Sequence, residues 1–299
     1  MMILAVGEIL IDKFPAYRRI GGAPFNFAYH IRGLGFDVQF ASRIGADESG
    51  KEVISFLRER GFGTELIQVD PSRPTGEVNI SLDSSGAAEY NIPPDAAYDY
   101  LKADDTLVHA LKESSLVYFG TLVQRGPGFE ELHHLLSLKE REAITIYDVN
   151  LRRDCYSEEI IRASLDKSDI VKLNDDELKV LRDVFHFRGN EKEFAEFIME
   201  RYSVSMISVT KGERGSALYT PDTYAEAGPV KIADLVDTVG AGDGYTAVIA
   251  AGYLKGMDTQ NIVNMASEFA GQICGIKGAL PGGEAFYDMF RRRLHGGAK

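Results

Sequence analysis

Short apolar, β-branched runs alternate along most of the chain with segments whose apolar residues return every three or four positions. The first pattern suits strands buried on both faces, and the second suits the helices that cover them. The runs predict strands at Ile3–Ile9, Val38–Ala41, Leu116–Phe119, Ala143–Asp148, Ile170–Leu173 and Met206–Thr210. Helical spacing predicts Pro24–Leu34, Lys51–Arg60 closed by Gly61, Phe129–Leu138, Asp175–Val184 and Lys192–Tyr202. This alternation predicts an α/β fold, a doubly wound, mostly parallel sheet with helices on both faces. One region departs from it. Glu77–Leu82 and Ala87–Ile92 are period-two runs joined by Asp83-Ser84-Ser85-Gly86, which predicts a β-hairpin with one solvated face. Pro93-Pro94 ends the hairpin, and Tyr90, Tyr98 and Tyr100 supply aromatic surface near its end.

With 299 residues and 44% hydrophobic content, the chain can bury a core for one large domain or two small ones. A net charge of −12 and a pI near 5.1 argue against a nucleic-acid or anionic-membrane partner, so any phosphorylated ligand needs a local positive site. Cys155 and Cys274 stand far apart and form no C-x-x-C pair, which fits a reducing compartment rather than a disulfide or zinc framework. Met1–Gly7 lacks a basic leader and reads as a first core strand, and no apolar run reaches membrane-spanning length. A cytoplasmic location is expected. The six histidines form no metal-binding motif, and Arg291-Arg292-Arg293 reads as the solvated end of a last helix.

Asp237-Thr238-Val239-Gly240-Ala241-Gly242-Asp243 carries the chemistry, because it joins a Gly-rich turn to an Ala-rich helical run. Small residues at Gly240, Ala241 and Gly242 let backbone N–H groups and the helix dipole meet a phosphate. Asp243, in the first helical turn, is then placed to accept a hydroxyl proton as that oxygen attacks the phosphoryl group. Capping and tight packing explain the same residues equally well on spacing alone. A Walker P-loop is excluded, since no Lys-Ser or Lys-Thr follows the last Gly, and G-x-G-x-x-G also fails.

D-T-V-G-A-G-D resembles the C-terminal signature of the ribokinase/fructokinase (pfkB-type) sugar kinases. Gly21-Gly22-Ala23-Pro24-Phe25-Asn26 resembles their N-terminal signature and is especially like that of fructokinases. The resemblance covers nearly the whole chain and implies a single ribokinase-like kinase domain over residues 1–299. A small β lid, from about 12–20 and 73–100, would fold over the sugar and exclude water. Lys13–Ile20 is shorter than in several relatives, which bears on lid closure and on any lid-mediated homodimer. The resemblance also implies ATP and magnesium as cofactors, Asp243 as catalytic base, and Gly240, Ala241 and Gly242 as the anion hole.

Other roles follow the same motifs. Asp12, just beyond the first strand, can accept bonds from two sugar hydroxyls, though turn capping is an equal reading. Gly21 and Gly22 allow close approach of a ligand, and Asn26 offers a donor and an acceptor from a helix start. Tyr90 joins this substrate set by its place in the lid. Asp148-Val149-Asn150-Leu151-Arg152 is similar to D-x-N-x-R, where Arg152 would approach the substrate or its new phosphate. Asn174-Asp175-Asp176-Glu177 is similar to N-x-x-E, with Asn174 on nucleotide phosphate and Glu177 on magnesium through water; a capping box explains the pair as well. Thr210, Gly212 and Gly215 look like the family's T-x-G-x-x-G turn beside the nucleotide, where a plain hairpin would also place glycines. Thr238 and Ser267 complete the nucleotide set. Asp237 with the Val239 and Gly278 carbonyls would hold a monovalent cation such as potassium, although Gly282 lacks the side-chain oxygen that some relatives supply. Gly244, Tyr245, Thr246 and Val248 depart from the family's usual residues and are expected to affect packing behind the hole.

The expected activity is ATP-dependent phosphorylation of a primary hydroxyl on a small sugar, with fructose converted to fructose 6-phosphate as the best single choice. Kinases of 2-keto-3-deoxygluconate, ribose, nucleosides or sugar phosphates are alternatives within the family. A non-catalytic nucleotide- or sugar-binding regulator on the same fold is the alternative from another class.

Overall fold

The computed structural model describes residues 1–14, 17–82, 88–232 and 234–296. Its strands are β1 (Met2–Val6), β2 (Leu10–Lys13), β3 (Arg18–Gly21), β4 (Asp37–Gly45), β5 (Ile67–Asp70), β6 (Gly76–Leu82) and β7 (Ala88–Asn91). Then follow β8 (Ser114–Gly120), β9 (Ile144–Asp148), β10 (Ile170–Asn174), β11 (Met206–Thr210), β12 (Ser216–Tyr219) and β13 (Tyr224–Ala227). The helices are α1 (Ala23–Gly33), α2 (Glu48–Glu59), α3 (Asp105–Lys112), α4 (Gly128–Ser137) and α5 (Glu158–Asp166). They continue with α6 (Asp175–Val184), α7 (Glu191–Tyr202), α8 (Ala241–Leu254), α9 (Thr259–Cys274) and α10 (Asp288–His295).

A nine-stranded sheet runs β13-β12-β11-β10-β9-β8-β1-β4-β5. From β11 to β5 every pairing is parallel, and β12 and β13 add an antiparallel edge. The pleat divides the core into two layers. Ile3 and Ala5 of β1 join the side chains of α1, α2, α8, α9 and α10, whereas Leu4 and Val6 join those of α3 to α7. Both faces are thus covered, as the unbroken apolar runs require. The chain leaves β1 for β4 on one side and β8 on the other, so the carboxyl end of β1 is the switch point where such sheets open a ligand crevice.

A second, four-stranded sheet, order β3-β2-β6-β7, lies apart from the first. It realises the expected hairpin through the β6–β7 pairing, although the turn Asp83–Gly86 lies outside the described residues. It also corrects the reading of Ile3–Ile9 as one strand. The main-sheet strand ends at Val6, and Leu10 opens β2 in the small sheet, pairing with β3 and β6. Leu10 and Val78 pack on Tyr98, Leu122 and Cys155, forming a small separate core beneath this sheet. Tyr98 is therefore not surface: it is 0% exposed, and Arg125 donates to its hydroxyl at 2.8 Å.

Helix limits follow local chemistry. Asn174 caps α6, accepting from the Glu177 N–H, while Glu177 accepts from the Asn174 N–H. The predicted end of the last helix is only partly solvated, because Arg291 reaches back to the Gly33 carbonyl at the end of α1. No described helix is long and apolar enough to cross a membrane.

Candidate active site

Gly240 takes φ 78° and turns the chain into α8. A Cβ there would lie 2.2 Å from the Ala279 Cβ, so the turn accepts only glycine. Ala241 and Gly242 continue it without bulk, and the first N–H groups of the helix have no intrahelical acceptor. A helix N-terminus with nothing bulky over it can receive an anion.

Asp243 follows in that first turn, with only part of its surface open to solvent. Burial, then the nearby Asp148 carboxylate, pushes its carboxyl up to about 6, against the Asn26 hydrogen bond and the Lys172 and Arg152 charges. Asn26, in the first turn of α1, donates from Nδ2 to Asp243 Oδ2 at 2.7 Å. Its own Oδ1 is buried without a partner among the described residues, leaving an acceptor for a ligand hydroxyl. A carboxylate with this pKa is ionised at neutral pH yet basic enough to take a hydroxyl proton.

Two charged residues beside the turn had no role assigned from sequence. Lys172 in β10 is buried, and its Nζ lies 3.0 Å from Asp148 Oδ1. A Cβ on Gly242 would lie 3.2 Å from that Nζ, which sets the ammonium against the turn. Burial works against this charge, but Asp148, Glu177 and Asp243 hold its pKa above the ordinary lysine value. The sequence signal was a lone cation inside the apolar run Ile170–Leu173. Thr246 lies 2.9 Å from both Asp148 Oδ2 and the Gly242 carbonyl, so it ties the ion pair to the turn. Its neighbours pack, as expected: a Cβ at Gly244 would lie 2.8 Å from the Phe269 ring, and the Tyr245 hydroxyl meets Ser208 at 2.8 Å.

A cavity of about 330 Å3 lies alongside, lined by Asp12, Arg19, Gly21, Asn26, Val239 and Gly278 among others. Asp12 sits on β2 with Oδ2 3.5 Å from Arg19 Nε, and burial outweighs Arg19 in raising its pKa. Gly22 takes φ 115°, and a Cβ there would lie 2.4 Å from the Glu8 carbonyl. Arg152 is exposed, and its charge lowers the pKa of Glu8, Asp12 and Asp243 alike. Tyr90 lies on β7, and its side chain is outside the described residues. Glu8, also unassigned from sequence, is 4% exposed with Oε2 unpartnered among the described residues, and burial pushes it up to about 7.

On the other flank, Asn174 and Glu177 form the capping box described above, and Glu177 Oε1 also accepts from the Leu151 N–H at 2.9 Å. Thr210 ends β11, and Gly212 and Gly215 form the tight turn into β12. Thr238 is exposed just before the anion turn. Ser267 is turned into the α9–β12 contact, where its hydroxyl meets that of Ser216 at 2.7 Å. Asp237, Val239 and Gly278 do come together. Asp237 Oδ1 accepts from the Val239 N–H at 3.0 Å, while Oδ2 accepts from the Gly278 N–H at 3.1 Å and from Arg19 Nη1 at 3.3 Å.

The sequence profile described as pfkB family carbohydrate kinase matches residues 16–283. The chain belongs to this family. Fructokinase-1 of Zea mays is 27% identical over 311 residues, covering 94% of each chain. A putative ribokinase II from E. coli, solved with ATP and Mg2+, superposes with a TM-score of 0.82 at 19% identity, covering 97% of this chain and 99% of that one. A Burkholderia thailandensis nucleoside kinase solved with inosine gives 0.80 at 19% identity, covering 99% and 97%. The fold of this pfkB kinase is the ribokinase-like α/β fold, and the enzyme is a phosphotransferase acting on an alcohol group.

Proposed function

We propose that this pfkB kinase transfers the γ-phosphate of ATP to a primary hydroxyl of a small sugar, with fructose, giving fructose 6-phosphate, as the preferred acceptor. The observation that carries this reading is the Asn26–Asp243 contact at the mouth of the Gly240–Gly242 turn. It sets a base beside an anion site and an unpartnered carbonyl beside the base. Residues 1–299 are taken as one kinase domain, with the four-stranded sheet as its lid.

In this reading Asp12, Gly21, Gly22, Asn26, Tyr90 and Arg152 surround the sugar. Asp243 removes the proton from its primary hydroxyl. N–H groups around Gly240, Ala241 and Gly242, with the Lys172 ammonium behind them, stabilise charge on the transferred phosphoryl group. Asn174, Thr210, Gly212, Gly215, Thr238 and Ser267 line the nucleotide side. Magnesium accompanying ATP neutralises phosphate charge and keeps several of its waters. Glu177 suits such an ion through water, because each of its oxygens accepts one backbone N–H and keeps a further lone pair.

Fructose is favoured by the fructokinase relatives, but their identity of 27% leaves the acceptor to be measured. The test is ADP release with MgATP over fructose, ribose, 2-keto-3-deoxygluconate, nucleosides and fructose phosphates. Release led by fructose in kcat/KM is the expected result. Preference for a nucleoside or a sugar phosphate would replace fructose by that class, and ATP binding without any acceptor-dependent release would support the non-catalytic regulator.

A further inference from the structure

We infer that the Arg19 guanidinium is the resident cation of this kinase: it bridges the Asp12 and Asp237 carboxylates and makes turnover independent of an exchangeable monovalent ion. This rests on the phosphoryl-transfer reading of the Gly240–Gly242 turn but not on which sugar is used.

Arg19 belongs to β3 of the small sheet, and strand alternation separates it from Arg18, which turns outward to Glu52 on α2. Arg19 turns inward. Its Nε lies 3.5 Å from Asp12 Oδ2 and its Nη1 3.3 Å from Asp237 Oδ2. All three side chains are largely shielded, with 19%, 15% and 22% exposure, so the attraction is stronger than for a surface pair. The Phe14 ring, 4.8 Å from the guanidinium carbon, covers it from the lid side. Arg19 lines the cavity, and its Nη2 is buried and unpartnered among the described residues.

The residues around Asp237 do not fit a monovalent metal ion. Such an ion needs converging oxygens, yet Asp237 Oδ2 already accepts two donors, from Gly278 and Arg19, which leaves only Oδ1 with a free lone pair, and the guanidinium already supplies a positive charge between Asp12 and Asp237. The Arg19 Nη1 would lie 2.8 Å from a Cβ placed on Gly278, so the guanidinium packs directly against the Gly278 backbone. Gly282 adds no side-chain oxygen. A second cation beside the guanidinium would meet like charge.

The bridge spans functional halves as well as charges. Asp12 lines the sugar cavity, and Asp237 stands at the head of the segment that becomes the anion turn. An arginine that grips both makes the geometry of the turn depend on the position of the lid strand. Arg19 is a positioning residue by this account, since it acts on the transferred group through Asp237 and the turn.

The test uses the full chain and two readouts. ADP release and the unfolding midpoint of the MgADP complex are measured in potassium and in tetramethylammonium chloride at equal ionic strength. Wild type is expected to differ by less than about twofold in turnover between the salts, while Arg19→Met loses about tenfold or more in kcat, a typical size for a coupling between sites. Millimolar guanidinium or potassium should restore part of that loss, and Arg19→Lys should keep more activity than Arg19→Met. In Arg19→Met the midpoint with MgADP should gain a dependence on potassium that wild type lacks. A potassium activation of wild type above about fivefold, or wild-type kcat in Arg19→Met, would overturn the proposal. Should no acceptor in the panel support turnover, the sugar assignment falls, and the salt dependence of the MgADP midpoint still decides this one.

Discussion

Asn26 Nδ2 and Asp243 Oδ2 meet at 2.7 Å, joining the first turns of α1 and α8 across 217 positions of sequence. The contact holds the carboxylate in one orientation beside the anion turn, and it counts among the influences that lower the Asp243 pKa. Asp243→Asn should therefore cut kcat by about 10²-fold or more while leaving nucleotide affinity nearly unchanged, since general bases contribute on that scale. Calorimetric titration with ATP separates the two. Near-wild-type turnover in the variant would remove Asp243 from the mechanism.

The pH profile should carry the same carboxylate. Burial and Asp148 raise Asp243 to about 6, and only the ionised form can take a proton. The kcat/KM should thus be flat above that value and fall about tenfold per unit well below it. Asn26→Ala removes an interaction that favours the ionised form, so its acidic limb should move to higher pH. A limb that stays in place while kcat alone falls would mean that Asn26 orients substrate without tuning the base.

Lys172 and Asp148 form a buried pair at 3.0 Å, with Thr246 on the second Asp148 oxygen. Removing one member leaves the other charge buried and uncompensated, a loss of about 3–5 kcal/mol in comparable cases. Asp148→Asn should lower the unfolding midpoint markedly. Lys172→Met should lose stability as well, but it should also lose kcat beyond what Asp148→Asn loses, because its ammonium lies against Gly242. Equal kcat for the two variants would assign the pair to stability alone.

What the sequence made legible follows from the range of the interactions involved. Strands buried on both faces show as unbroken apolar runs, so Met206–Thr210 was found to the residue. Asn174 and Glu177 mark the start of α6 within four residues, and Asp175–Val184 was found likewise. β5, β12 and β13 were missed, because Ile67–Asp70, Ser216–Tyr219 and Tyr224–Ala227 are four-residue strands with weak patterns. The motif residues around Asp243 were legible through a resemblance in local sequence. Their charged partners were not: Lys172 shows only as a lone cation in an apolar run, with nothing local to name its partner, and Arg19 is paired with Asp237 only by the fold, 218 positions away.

Glu8 gives a prediction about stability with a definite sign. Its carboxyl is buried at the end of β1 and raised to about 7 from an ordinary value of 4.5, burial being the main cause, with backbone N–H groups and Arg152 working against it. The folded chain therefore binds this proton more tightly than the unfolded chain does. Between those two values stability falls as pH rises, and above about 7 the full penalty of a buried carboxylate is present. Glu8→Gln keeps the shape and removes the titration. At pH 8 the variant should unfold a few degrees higher than wild type, an effect of order 1–3 kcal/mol. At pH 5, where wild-type Glu8 is protonated in the folded state, the two should nearly coincide. Thermal unfolding across that range decides the matter: a deficit in Glu8→Gln of constant size from pH 5 to pH 8 would show that the ionised carboxylate stabilises the start of α1 and that burial is not the dominant influence on it.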